Sequence, residues 1–170
     1  MTQAMDDRGI RLDRMRYVKN TASSRLCYLA ILLNVLYFVS IYKSDVGSWY
    51  YQILVGGSIV YNLLFMLMTF LASEGVKNYR RNFSLLLYAL GALQAARIFI
   101  LPLQAHGAVV KIGGAETAVM GTAQFVRCVV YLAGSAACLI AAGIINQRKA
   151  DALKNLDGNT GNGTAGKEAA

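Results

Sequence analysis

Arg97 and Arg127 each stand inside a long apolar stretch, and neither stretch contains an aspartate or glutamate. A cation in hydrocarbon costs at least about 2.5 to 3.5 kcal/mol on insertion scales, so an uncompensated pair calls for a counter-charge from elsewhere. The guanidinium's planar fork of donors suits a carboxylate, a phosphate or a lipid headgroup. Inside the chain the candidates are Asp45 and Glu116, which would have to leave water and lose their own hydration.

The two arginines belong to a repeat. Gly91, Gln94 and Arg97 in one stretch, and Gly121, Gln124 and Arg127 in the other, share the pattern GxxQxxR. Glutamine and arginine three apart lie on one helix face. Arg97 lies seven residues before position 104 and Gln124 seven after 117, while Gln94 and Arg127 each lie ten away. At about 1.5 Å per residue this counting puts Arg97 level with Gln124 and Gln94 level with Arg127 in two antiparallel helices. Each glutamine carbonyl could then accept a hydrogen bond from the other helix's arginine, which satisfies donors without cancelling charge. Asn34 and Asn62 supply one amide each from two further apolar stretches, so a polar belt in the outer half of a bundle is expected. The plainer alternative is structural, since amides within membranes often only hold helices together, at about 0.6 kcal/mol per bond. Arg97 is shallow enough to snorkel to outer headgroups. Arg127, roughly 15 Å below the surface by the same counting, is not.

The elements that must position these groups are membrane helices. The chain has 170 residues, of which 56% are hydrophobic, concentrated in blocks, too apolar a composition for an ordinary soluble domain of this size. Four blocks, 26–42, 50–71, 83–103 and 118–145, are near or above the roughly 20 residues needed to cross a bilayer. The expected fold is an all-α membrane protein, an antiparallel bundle of two helical hairpins. It is flanked by a basic amphipathic segment over 1–25 and a cytoplasmic tail over 146–170, disordered after about 157. The polar first 25 residues are unlike a cleavable signal peptide, so the first span should act as an anchor. The outer loop 104–117 suggests a small hairpin or a flap.

Orientation follows from the basic residues. Six Lys or Arg precede span one, three (Lys77, Arg80, Arg81) separate spans two and three, and four follow span four, whereas the opposite side carries only Lys43 and Lys111. By the positive-inside rule both termini are cytoplasmic, and the cell membrane is the expected location. The net charge of +8 then reflects topology and attraction to anionic lipid, with no need for nucleic acid.

Several function classes are disfavoured. There is no HExxH, no Ser-His-Asp set, no paired acidic motif and no Gly-rich phosphate loop, so the chain reads as a non-enzyme. His106 is the only histidine, which excludes bis-histidine haem ligation within one chain. Cys27, Cys128 and Cys138 lie in apolar blocks, where cysteine behaves as a small hydrophobe, and no metal or cofactor is expected. Proton-coupled transport would call for an acid or histidine within a span. What remains is a non-catalytic subunit of a larger membrane complex, an accessory part of a transport assembly. It would dock through spans three and four on small residues such as Ala133, Ala137 and Ala141, with Arg97 or Arg127 facing an acidic partner. The alternatives are a homo-oligomeric anion channel or carrier lined by the Gln/Arg belt, and a binder of anionic lipid.

Overall fold

A computed structural model of the chain describes residues 18–42, 49–112 and 115–165. Four long helices dominate: α1 (Thr21–Tyr42), α2 (Trp49–Lys77), α3 (Asn82–Ile100) and α5 (Thr122–Ala165). All four are long and apolar enough to cross a membrane. Between α3 and α5 lie a one-and-a-half-turn helix, α4 (Pro102–Gly107), and an antiparallel ribbon of β1 (Val109–Ile112) with β2 (Ala115–Ala118). The chain's single proline, Pro102, separates α3 from α4, because it has no backbone N–H to continue the hydrogen-bond ladder of α3 and its ring suits the first turn of a new helix. Of the two forms open to loop 104–117, a small hairpin or a flap, the chain has the hairpin, preceded by a helical turn. The ribbon packs its entry under α5 through His106, whose ring stacks on Phe125 at 4.6 Å and whose Nδ1 lies 3.2 Å from the Met120 carbonyl.

Three helix ends depart from expectation. α1 begins five residues before the predicted 26, and α2 continues beyond 71 to Lys77, because Ser24 and Ser73 are buried in a contact between the two helices. Ser24 and Ser73 share a hydrogen bond of 2.7 Å, so these hydroxyls extend the packed interface past the apolar blocks. α5 runs on to Ala165 where the composition predicts loss of order after 157. No proline follows Pro102 to stop it. The predicted amphipathic segment over 1–25 falls mostly outside the described residues, as does the link 43–48.

α5 lies between α1 and α3; α1 also packs on α2, and α2 touches α3 only lightly. Along α3 the partners on α5 move backward in sequence, from Asn146 and Gln147 opposite Ser84 and Tyr88 to Ser135 opposite Gln94. Neighbouring helices therefore run in opposite directions. Tyr79 makes the reversal between α2 and α3 with a left-handed φ of 54°. Its hydroxyl donates to the Val18 carbonyl at 2.8 Å, tying the turn to the start of α1.

The distribution of polarity is inverted relative to a water-soluble bundle. Leu29, Leu32, Val35, Leu36 and Val39 of α1, and Leu63, Leu64, Leu67, Phe70 and Leu71 of α2, face outward. Ser23, Ser24, Asn34, Asn62, Thr69, Ser73, Ser84, Gln94, Arg97, Ser135 and Asn146 are buried. On α1 the inward residues Cys27, Ala30, Asn34, Tyr37 and Ile41 recur every three or four positions, the stripe of a helix packed along one face. A bundle whose lipid-facing surface is apolar gains nothing from hiding more of it, so packing and interhelical hydrogen bonds must hold it together.

Candidate functional site

Two apolar clusters fill the interior, one around Cys27, Phe65, Leu87 and Leu139, the other around Tyr37, Leu101, Met120 and Leu132. A polar layer separates them, and Arg97 is at its centre. The guanidinium of Arg97, only 6% exposed, donates from Nη1 to Asn62 Oδ1 at 2.7 Å and to Asn34 Oδ1 at 3.4 Å, and from Nη2 to Ser58 Oγ. Its charged carbon also lies 4.6 Å from the ring centres of both Tyr37 and Tyr61. Gln94 donates from Nε2 to Asn34 Oδ1 at 2.9 Å and to Ser135 Oγ at 3.4 Å, and the Ser135 hydroxyl donates in turn to the Ala30 carbonyl at 3.1 Å. All four long helices thus contribute to one layer.

Four of the six predicted site residues, Asn34, Asn62, Gln94 and Arg97, meet in this layer. Gln124 and Arg127 do not. Gln124 donates to the Ser40 carbonyl at 2.9 Å, and Arg127 is exposed, its Nε bonding the Ala123 carbonyl of its own helix at 3.3 Å. The expected cross-helix Gln/Arg pairs are absent. Counting from 104 and 117 assumed that both helices reach the loop, whereas α3 stops at Ile100 and α5 starts at Thr122. Gln94 is level with Ser135, well below Gln124. The same shift reverses the roles of the arginines: Arg97 is enclosed and Arg127, five residues into α5, is the one that reaches outward.

Arg127 lines a cleft of about 270 Å³ between α1 and α5, with Leu36, Val39, Ser40, Gln124 and Tyr131. One wall is apolar and the other carries a cation, an amide and a hydroxyl. The carboxylates among the described side chains are Glu74 and Asp151; both are at the far end of the bundle, paired with Lys77 and Arg81. Neither arginine therefore meets a carboxylate among the described side chains.

Ser58, Tyr37, Tyr61 and Ser135 escaped the sequence reading. Tyr37 is three residues from Asn34 and Ser58 four from Asn62, so helical spacing from the asparagines could have found both. A second polar cluster at the opposite end was also missed. There Asn146 donates from Nδ2 to Ser84 Oγ at 2.8 Å and to the Arg80 carbonyl at 3.1 Å, Asn20 bonds Ser23, and Lys149 reaches Asn20 Oδ1 at 3.0 Å. It fastens the start of α1 and the α2–α3 turn to α5. Among the described residues no group of three or more His, Cys, Asp or Glu could hold a metal ion. The three cysteines are free thiols, Cys27 and Cys128 fully buried. Compared with protein-family models, with curated proteins and with solved structures, the chain finds no match.

Proposed function

We propose that the chain is a non-catalytic integral membrane subunit that docks onto a larger membrane complex, an accessory part of a transport assembly, through the α1/α5 face around Arg127. The observation that carries this reading is an outward-facing guanidinium on an apolar helix, lining a cleft and unpaired with any carboxylate among the described side chains. A carboxylate on a partner's helix would cancel the charge, and arginine's fork allows it two parallel hydrogen bonds. Arg97 has its donors occupied inside the bundle, so the docking face is moved from spans three and four to α1 and α5. The accompanying topology has both termini cytoplasmic in the cell membrane, with the polar layer in the outer half.

Affinity purification from native membranes in mild detergent is expected to recover a membrane partner with the wild-type chain and to lose it with Arg127→Leu. A chain that runs alone, or a partner retained unchanged by Arg127→Leu, would count against docking. Recovery of an anionic phospholipid that disappears in the variant would move the reading to lipid binding, which the cleft's mixed walls also suit. For the topology, reporters fused at residue 1 and residue 170 should both be active on the cytoplasmic side; activity of either outside overturns it.

A further inference from the structure

The segments 80–85 and 146–151 meet where α3 begins and the apolar block of α5 ends. Together they carry Arg80, Arg81, Arg148 and Lys149 against one acidic residue, Asp151. Between them lies a cleft of about 330 Å³ lined by Arg81, Asn82, Ser84, Leu85, Tyr88 and Gln147. Its polar members present donors. Tyr88 gives its hydroxyl proton to Gln147 Oε1 at 2.9 Å, which occupies the amide's acceptor and leaves Nε2 without a partner among the described residues. Ser84, 2% exposed, accepts from Asn146 Nδ2 at 2.8 Å and keeps its own proton to donate. The Arg81 guanidinium spends one nitrogen, Nη1, on Asp151 at 3.4 Å. No residue lining the cleft is acidic, so a cation and neutral donors from both helices border one space with nothing of opposite charge in its walls.

The cleft changes character with depth. Arg81 and Asn82 stand at the start of α3, whereas Tyr88 is six residues further in, about 9 Å at the rise of a helix. The headgroup zone on each side of a bilayer is about 5 to 8 Å thick, so the polar mouth lies level with lipid phosphates and the Tyr88 ring with the start of the acyl chains. Leu85, 76% exposed on a spanning helix, opens that lower part to lipid. A soluble anion would use the mouth alone. A phospholipid fills both halves, its phosphate on the donors and its first methylenes against Leu85 and the Tyr88 ring. Asp151 competes weakly for Arg81, because both side chains of that pair are widely exposed and surface pairs contribute only about 0 to 1 kcal/mol.

We infer that the α3/α5 cleft binds the headgroup of an anionic phospholipid, with Arg81 and the amides of Asn82 and Gln147 on the phosphate and the Ser84 hydroxyl as a further donor. The site lies twenty residues along α5 from Arg127, about 30 Å, and does not rest on the docking reading. In the proposed topology it opens to the cytoplasmic leaflet, where anionic lipid is concentrated.

The test uses the full chain in detergent, melted with increasing dioleoylphosphatidylglycerol, dioleoylphosphatidylcholine or inorganic phosphate. Expected is a melting temperature that rises saturably with phosphatidylglycerol and with neither of the others. The midpoint of that rise should move roughly tenfold higher in Arg81→Gln and in Gln147→Leu, each of which removes a charge-assisted hydrogen bond. Asp151→Asn releases Arg81 and should lower the midpoint by up to about fivefold, a gain that a misfolded variant cannot give. Arg148→Gln removes the same charge outside the cleft and should leave the midpoint within about twofold, because exposed charges are screened. Equal rises with both lipids, or a loss in Arg148→Gln as large as in Arg81→Gln, would mean diffuse attraction and overturn the site. So would a midpoint unmoved by both Gln147→Leu and Asp151→Asn. A rise that inorganic phosphate reproduces assigns the mouth to a soluble anion and overturns the lipid. An effect lost in Arg127→Leu but kept in Arg81→Gln puts the lipid in the α1/α5 cleft instead.

Discussion

Asn62→Leu is expected to destabilise the bundle by about 1.5 to 3 kcal/mol, the range for a hydrogen bond to a charged group. That exceeds the roughly 0.6 kcal/mol of an average interhelical bond in a membrane. The difference arises from what is left behind. Asn62 Oδ1 is the acceptor for Arg97 Nη1 at 2.7 Å, and α2 has little other contact with α3. Removing the acceptor leaves a cation in an apolar interior. Removing the cation as well relieves that cost, so Asn62→Leu with Arg97→Met should be more stable than Asn62→Leu alone, as apolar replacement of a buried charge often is. Reversible unfolding of the single and double variants by titration with sodium dodecyl sulfate in mixed micelles measures the difference. Additive losses, with the double variant the least stable, would mean that the layer does not bind Arg97 as described.

Gly143→Leu should be the other severe change, at about 1 to 3 kcal/mol for overpacking. A Cβ at Gly143 would meet the Tyr88 ring at 2.7 to 3.2 Å. Tyr88 is pinned by its hydrogen bond to Gln147 at 2.9 Å and cannot swing away without losing it. One turn along, the arrangement is mirrored: Ile140 of α5 sits over Gly91 of α3, its Cγ1 3.0 Å from where a Cβ would be. Each helix thus carries a notch that receives the other's large side chain. Replacing a glycine within a helix by itself gains about 0.5 to 1 kcal/mol, so a net loss isolates the clash. Gly134→Ala is the control, because its Cβ would meet only the flexible end of Leu33, at 3.2 Å. Adding Tyr88→Ala should recover much of the loss in Gly143→Leu. No recovery would show that the fault lies outside this contact.

The four spans were legible because a bilayer demands long apolar runs, and the run lengths alone locate the helices. Asn34, Asn62, Gln94 and Arg97 were legible as a group for a related reason: polar side chains at membrane depth are expensive and so stand out. Their pairing was not. Which amide meets which arginine depends on helix register, and that register turned on where α3 gives way to α4 at Pro102 and on how much chain the β1–β2 ribbon occupies before α5. The tyrosines and serines of the layer were hidden by their ordinariness, since Tyr37 and Ser58 become informative only once Asn34 and Asn62 are known to face inward.

The position of the layer's members along the chain has a consequence for biosynthesis. Asn34 is on α1, and Ser58 and Asn62 are on α2, so every acceptor of the Arg97 guanidinium is translated before the arginine itself. When α3 leaves the ribosome with its charge, a receptive hairpin can already be waiting beside the insertion channel. The helix hardest to partition into lipid need never enter it alone. Reordering the gene so that α3 came first would strip it of that escort, even though the finished contacts were the same.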